Sequence, residues 1–385
     1  MQPTRFWQAF KQTFRHIFTD QGVLLMVVLA PIIYGFFYPW PYGSQQALKV
    51  PAAVVDYDNS NLSRQIIRFA SASPKIDVLR LNSEQEAKEA LWRGQIEGYM
   101  VIPPNLKHDV LHRKAANVAI AGNGSYALLN KSVLYGFSEA VGTVSAGIAI
   151  KQFTAQGQSP DQAMMSAQPL SLKTKAYYNP SEGYGSYVVP AVALLILQQT
   201  LLIGSALFAG TLYEAKTAQG RAPVWLGRIG AISLVSALVM AFYFGWLFTW
   251  QDFGRGGNVL GALLLILLYA PTVTIWGLLC GLWFKVRERS VQVILFTSMP
   301  MYFMTGFSWP SEGLPPLARL LGWLIPSTPA IHASVRLNQM GASMAEVAPY
   351  LVNILALGLI GLALLCWFGR TRPQAKTATP TRRSP

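Results

Sequence analysis

A chain of 385 residues could hold two or three soluble domains, but 52% hydrophobic against 12% charged residues, with a mean hydropathy of +0.32, exclude a purely soluble protein. The formal charge of +14 would point to nucleic acid only if the basic residues formed one patch, and along the chain they do not. Cys280 and Cys366 both fall inside apolar runs and the long polar segment has no cysteine, which excludes a disulfide framework.

Residues 1–21 read as a cytoplasmic amphipathic helix. Phe6, Phe10, Phe14 and Phe18 recur four apart beside Trp7 and Ile17, with Arg5, Lys11 and Arg15 interleaved. Such a helix lies in the membrane interface, rings at headgroup depth and cations toward lipid phosphate. A plain anchor and a cytosolic surface for a partner are the other readings of the stripe. The apolar run that follows has basic residues before it, as a signal peptide does, but it leaves through YGFFYPWPYG, where a signal peptidase needs small residues. Aromatic belts mark the ends of spans, so residues 22–41 read as an uncleaved first span.

Residues 42–182 alternate short β-rich runs with helical patterns. The runs are VPAAVVD at 50–56, IDVLRL at 76–81, GYMVIP at 98–103 and NVAIAG at 117–122. Asn59 and Ser60 open one helix, and Ser83 with Glu86 spells a capping box for another. This predicts a compact α/β domain, closed by a longer helix beyond residue 125 with small residues at Gly142, Ala146 and Ala149.

Five more apolar stretches follow, at 183–213, 229–250, 258–284, 290–309 and 349–369. Each approaches the roughly 20 helical residues that a hydrocarbon core of about 30 Å requires, and none has Asp, Glu, Lys or Arg in its core. The expected fold is therefore an α-helical polytopic membrane protein with six transmembrane helices plus a mixed α/β periplasmic domain. Fourteen Lys and Arg fall in the N-terminal tail, the 214–228 loop, the loop at Lys285–Arg289 and the tail at 370–385. The opposite short loops carry only Arg255, Arg319 and Arg336, so the positive-inside rule places both termini in the cytoplasm and residues 42–182 outside. The basic excess is topological, and nucleic-acid binding is not expected.

The loop Tyr213–Arg228 is short and flanked by two spans, so it reads either as a lever for a cytoplasmic partner or as a solvated connector. Residues 310–348 are broken by Pro310, Pro315, Pro316, Pro326 and Pro329 yet stay apolar, which predicts a re-entrant helical hairpin. Pro300, Met301, Met304 and Gly306 beside it read either as a bent, adaptable wall or as a structural kink facing lipid. His108 and His112 stand four apart in HDVLH, but without the Glu of HExxH or a third ligand no metal site is expected. No Gly-rich phosphate loop ending in GK[ST] and no nucleophile elbow occur, so neither nucleotide binding by that device nor hydrolysis is expected of this chain.

Three stretches in order, VVDYDNSNLSRQI at 54–66, YYNPSEGYGSYVVPAV at 177–192 and TGFSWPSEGLPP at 305–316 with Arg336 beyond it, resemble the ABC-2 type permeases. The similarity is to the branch with a large periplasmic domain between the first two transmembrane helices. It implies two permease chains, identical or paralogous, working with ABC ATPase subunits that bind the ATP, so this chain needs no cofactor and is not itself an enzyme. It also implies efflux across the bacterial inner membrane, often with a periplasmic adaptor protein. The 214–228 loop would then hold the coupling helix, with Tyr213, Glu214, Lys216, Gly220 and Arg221 as ATPase contacts. Relatives commonly carry an acidic, Gly-Thr-containing stretch there; KTAQGRA after Glu214 points instead to a specialised ATPase or a more typical paralogous partner.

The mechanism expected from this resemblance is tilting of spans one, two and five in a permease dimer, moving an amphipathic or hydrophobic substrate outward. Gln198, Gln199, Thr200, Thr297, Met301, Met304 and Thr305 are the pathway candidates. Polar side chains at such depth also serve as interhelical hydrogen bonds. A non-transporting envelope receptor or scaffold is the alternative of another class; a secondary transporter fits less well, because those usually keep intramembrane charges.

Overall fold

The computed structural model describes residues 3–170, 174–254 and 256–369. Arg255 and the basic tail at 370–385, both used to orient the chain, lie outside the described residues. The chain forms two units, one of residues up to Gly43 and from Ala176 onward, the other spanning Ser44–Lys175.

The first unit begins with α1 (Pro3–Thr19). Asp20 then caps α2, a rod made of Gln21–Leu24, a π-helical turn Leu25–Leu29, and Ala30–Phe37. The cap follows the usual logic: the Asp20 carboxylate accepts from the Gly22 and Val23 N–H groups, at 2.9 and 3.1 Å, which have no partner inside the helix.

The second unit is a four-stranded sheet of order β2-β1-β3-β4 wrapped by helices. Its elements in chain order are β1 (Val50–Asp56), α3 (Asn61–Ala72), β2 (Ile76–Leu81), α4 (Glu84–Trp92), β3 (Gly98–Ile102), α5 (Leu106–Leu111) and β4 (Ala119–Gly122). Two further helices, α6 (Ala127–Ala155) and α7 (Pro160–Ala167), complete it. Strands β1, β2 and β3 are parallel and β4 runs antiparallel to β3. The unbroken apolar run of β1 follows from burial on both faces. Ala52 and Val54 meet Ile66 and Ile67 of α3 and Val133 and Phe137 of α6, whereas Ala53 and Val55 meet Ala87 and Ala90 of α4.

Both helix starts expected in this unit form. Ser60 caps α3 and exchanges reciprocal hydrogen bonds with Ser63. Ser83 caps α4 by accepting from the Glu86 N–H at 3.1 Å, but the Glu86 carboxylate reaches the Asn82 N–H instead of that of Ser83, so the box is only half closed.

The first unit resumes with α8 (Tyr184–Glu214), α9 (Ala222–Phe242, continued by a π turn Tyr243–Leu247 and Phe248–Trp250), α10 (Val259–Phe284) and α11 (Arg287–Met304). Then come the short α12 (Pro316–Gly322) and α13 (Ser327–Ser334), and finally α14 (Met344–Phe368). Helix α8 is the axis: 83% of its most apolar stretch is buried, against 33% for α2 and α14. Helices α2, α10, α11 and α13 pack around it, α9 packs on α1 and α10, and α10 on α14. Close approach of α8 and α10 depends on small residues. A Cβ on Gly277 would lie 2.6 Å from that of Ser205, and one on Gly281 would collide with the Ala206 carbonyl.

Six described helices are long and apolar enough to cross a membrane, but they are not quite the six expected. Gln21–Tyr42, Tyr184–Glu214, Ala222–Trp250, Val259–Phe284 and Met344–Phe368 coincide with expected spans. The sixth is α6, Ala127–Ala155, whereas the predicted span 290–309 corresponds to α11, whose 18 residues start on Arg287, Glu288 and Arg289. The buried positions of α6, including Val133, Phe137, Ala140 and Val144, belong to the core against the sheet, which accounts for its apolar composition.

Candidate functional site

The Pro-rich segment is drawn inward. Seven of the eight residues of α13 are buried against its neighbours, principally α8 and α14. The Nε2–H of His332 donates to the Thr305 carbonyl at 3.1 Å, and the His332, Trp323 and Tyr350 rings form a cluster with centroids 5.8–5.9 Å apart. The Tyr187 hydroxyl donates to the Phe307 carbonyl at 2.8 Å and Gln339 Nε2 to that of Ser186 at 2.8 Å, which fastens the segment to the start of α8.

The seven pathway candidates do not line one surface. Gln199 and Met301 meet across α8 and α11, Nε2 to Sδ at 3.4 Å. Gln198 faces the other way, where Oε1 accepts from the fully buried Tyr269 hydroxyl at 3.4 Å. Thr200 and Thr297 donate to carbonyls of their own helices, at 2.9 Å to Ile196 and 3.0 Å to Val293. Thr305 closes the end of α11 on the Tyr302 carbonyl at 2.7 Å, and the Met304 carbonyl faces Gly322. Two buried polar atoms at mid-helix, Gln198 Nε2 and Gln199 Oε1, have no hydrogen-bond partner. An unpaired buried polar group is costly, so this pair marks α8 as a place with binding capacity to spare.

The aromatic stripe of α1 is continuous, with ring centroids 6.2, 6.2 and 5.2 Å apart from Phe6 through Phe10 and Phe14 to Phe18. Its docking face is the neighbouring row Ala9, Thr13 and Ile17, buried against α9 and its neighbours. Gly227 faces the Phe6 carbonyl and Gly230 the Phe10 ring, while Trp7, Phe14 and Phe18 remain exposed.

The expected coupling loop is shorter than the sequence suggests. Because α8 runs to Glu214 and α9 starts at Ala222, only residues 215–221 are non-helical and no separate helix lies between them. This short turn is held from two sides. Arg228 Nη2 donates to the Thr217 carbonyl at 3.0 Å while its guanidinium stacks on the buried Trp225, and the Gly220 N–H donates to the Gly369 carbonyl at 3.0 Å. Tyr213, Glu214, Lys216 and Arg221 are exposed; Gly220 is half-buried.

Sequence reasoning missed the strongest electrostatic feature of this end. The Arg287 guanidinium grips Asp20 with both nitrogens, at 2.6 Å each, and Nη1 also donates to Thr211 Oγ1 at 2.8 Å. The Arg287 N–H donates to the Glu214 carboxylate at 3.1 Å, so this exposed residue, expected as an ATPase contact, also holds the start of α11. One arginine thereby joins the start of α2, the end of α8 and the start of α11. The guanidinium, helped by the Val23 N–H, holds the Asp20 carboxyl at about 2, and Asp20 in turn raises the arginine further above its ordinary range. Glycines make room: a Cβ on Gly22 would lie 2.6 Å from Arg287 Nη2, and one on Gly210 would lie 2.9 Å from the Arg287 Cα. The signal in the sequence was a lone acid before an apolar run, Asp20, with lone basic clusters facing it.

His108 and His112 stack at 4.1 Å, and no group of three or more His, Cys, Asp or Glu fit to hold a metal occurs among the described residues. No curated protein matches the chain. Residues 22–367, from the first turn of α2 to the last turn of α14, match the family described as ABC-2 family transporter protein. A match of that extent takes in every helix of the bundle except α1, and the chain therefore belongs to the ABC-2 family, as a multi-pass transport component of the membrane.

Proposed function

We propose that the chain is the permease subunit of an ABC-type exporter that moves an amphipathic or hydrophobic substrate outward across a bacterial inner membrane. ATP is hydrolysed by a separate ABC ATPase, two permease chains form the pathway, and the termini are cytoplasmic. The observation that carries this reading is the family match across nearly the whole bundle. Two features support it in detail. The unpaired Gln198 and Gln199 atoms beside Met301 offer polar capacity within an apolar wall. The exposed Tyr213 ends α8, and the exposed Lys216 and Arg221 sit on the turn fastened to α9 and Gly369, so a push there reaches α8, α9 and α14 together.

Within this reading α11 is the fifth span, α6 remains with the periplasmic α/β domain, and that domain is where a periplasmic adaptor protein would bind. The test is purification from native membranes in mild detergent followed by an ATPase assay. An ATP-hydrolysing subunit is expected to co-purify, and Lys216→Glu with Arg221→Glu is expected to reduce its yield several-fold. If the chain purifies without any ATPase, it acts as a receptor or scaffold and the exporter reading falls.

A further inference from the structure

Helices α10 and α14 touch tightly in their middle and part toward the basic end. A Cβ on Gly358 would lie 2.7 Å from Thr272 Oγ1 and one on Gly361 2.8 Å from Ile275 Cγ2, and Trp276 Nε1 donates to the Leu357 carbonyl at 3.2 Å. Beyond Gly361 a groove of about 300 Å³ opens, walled by Trp276, Leu279, Cys280 and Trp283 of α10 and by Leu364 and Phe368 of α14. Its lining is almost wholly apolar. Trp276 to Phe284 covers about 12 Å of helix, most of one leaflet of a hydrocarbon core of about 30 Å.

The groove adjoins a second space. Leu282, Trp283 and Phe368 also border a second cavity of about 480 Å³, whose other walls include Tyr213, Gln219 and Lys285. Trp283 and Phe368 meet edge to face at 5.7 Å in the wall that the two spaces share. Lys285 follows the last residue of α10, is exposed, and makes no ion pair among the described residues. An apolar slot one acyl chain deep therefore borders a chamber of mixed lining that holds the exposed Lys285 cation.

The geometry points to a binding site for an anionic phospholipid, its acyl chain between α10 and α14 and its phosphate in the chamber beside Lys285 and Gln219. Length and apolarity select a chain over a soluble phosphate, and charge selects an anionic headgroup over a zwitterionic one. The other basic residues of this end, Lys216, Arg221 and Arg289 among them, add to the attraction, whereas Arg287 is neutralised by Asp20. The lipid wedges the two helices at the end where Gly369 holds the 215–221 turn, so occupancy braces that turn.

The test is native mass spectrometry of the full-length chain in detergent, titrated with phosphatidylglycerol or phosphatidylcholine. Phosphatidylglycerol adducts are expected to survive at least about five-fold better than phosphatidylcholine adducts, the preference that one interfacial lysine supplies. Lys285→Glu should abolish that preference, while Lys285→Arg should keep it. Leu364→Trp, which fills the slot, should reduce retention of both lipids, with the thermal midpoint of each variant confirming that it is folded. Equal retention of the two lipids, or indifference to Lys285→Glu, overturns the site. Full competition by glycerol phosphate reduces it to an anion contact without a chain, and loss of the lipid whenever an ATPase co-purifies assigns the chamber to protein docking; either result overturns the proposal.

Discussion

Asp20 carries two jobs at once: it caps α2 and receives both guanidinium nitrogens of Arg287. Its side chain is 11% exposed, so solvent screening is weak and the pair stabilises more than a surface bridge would. The carboxyl is held at about 2, below the roughly 3.9 of an unfolded chain, which corresponds to about 2 kcal/mol. Since the folded value is the lower one, this stability is fully present above about pH 4 and is lost as pH falls through about 2. Asp20→Asn keeps an acceptor for the helix cap but removes the charge. Its thermal midpoint in detergent should fall below the parent's at neutral pH, and the two should converge as pH drops toward 2. A gap independent of pH would show that the charge contributes nothing. The cycle with Arg287→Gln should give strong coupling, because each single change leaves the other partner partly buried and unpaired.

At the scale of elements, the strands of the α/β domain were the most legible part. β1 and β2 form over the runs expected of them, because the apolar run of β1 suits burial on both faces and the polar Asp77 and Arg80 interleave with apolar residues in β2. Helices were less legible in their bounds and pairing. The apolar composition of α6 matches that of a span, since a helix covering a sheet and a helix facing lipid draw on the same residues. Helix α9 starts at Ala222, seven residues ahead of the expected span, because Trp225 and Arg228 are buried in intramolecular contacts that a hydropathy window counts against burial. The pairing of α8 with α10 was unread although Gly277 and Gly281 stand four apart, a spacing that brings backbones together in lipid. Gly281→Leu drives a side chain into the Ala206 carbonyl and should cost at least about 1–3 kcal/mol. Gly245→Ala, where nothing lies within 4 Å, is the control. Equal thermal midpoints for the two variants would refute a close α8–α10 contact.

For the whole molecule, the candidate site was legible only in outline. The sequence identified polar residues at depth and a basic end, but not that Gln198 and Gln199 face different neighbours or that Arg287 ties three helices together. Those facts depend on helix rotation and on contacts as much as 267 positions apart, which no local pattern encodes. The same rotation determines which face of α11 is left uncovered. On α11, Phe296, Met299 and Phe303 are 84%, 67% and 53% exposed and lie at i, i+3 and i+7 on one side of the helix. The opposite side, through Met301, meets α8. If two permease chains line a shared pathway, this apolar row of α11 is the natural seam, since it is the face of α11 turned away from its contact with α8. In a background carrying Cys280→Ser and Cys366→Ser, Met299→Cys should form a disulfide between copies in native membranes on mild oxidation. Leu267→Cys on α10 is exposed to a similar degree, 64%, but belongs to a different helix and should stay monomeric. Cross-linking at 267 without cross-linking at 299 would place the seam elsewhere and separate the pathway from α11.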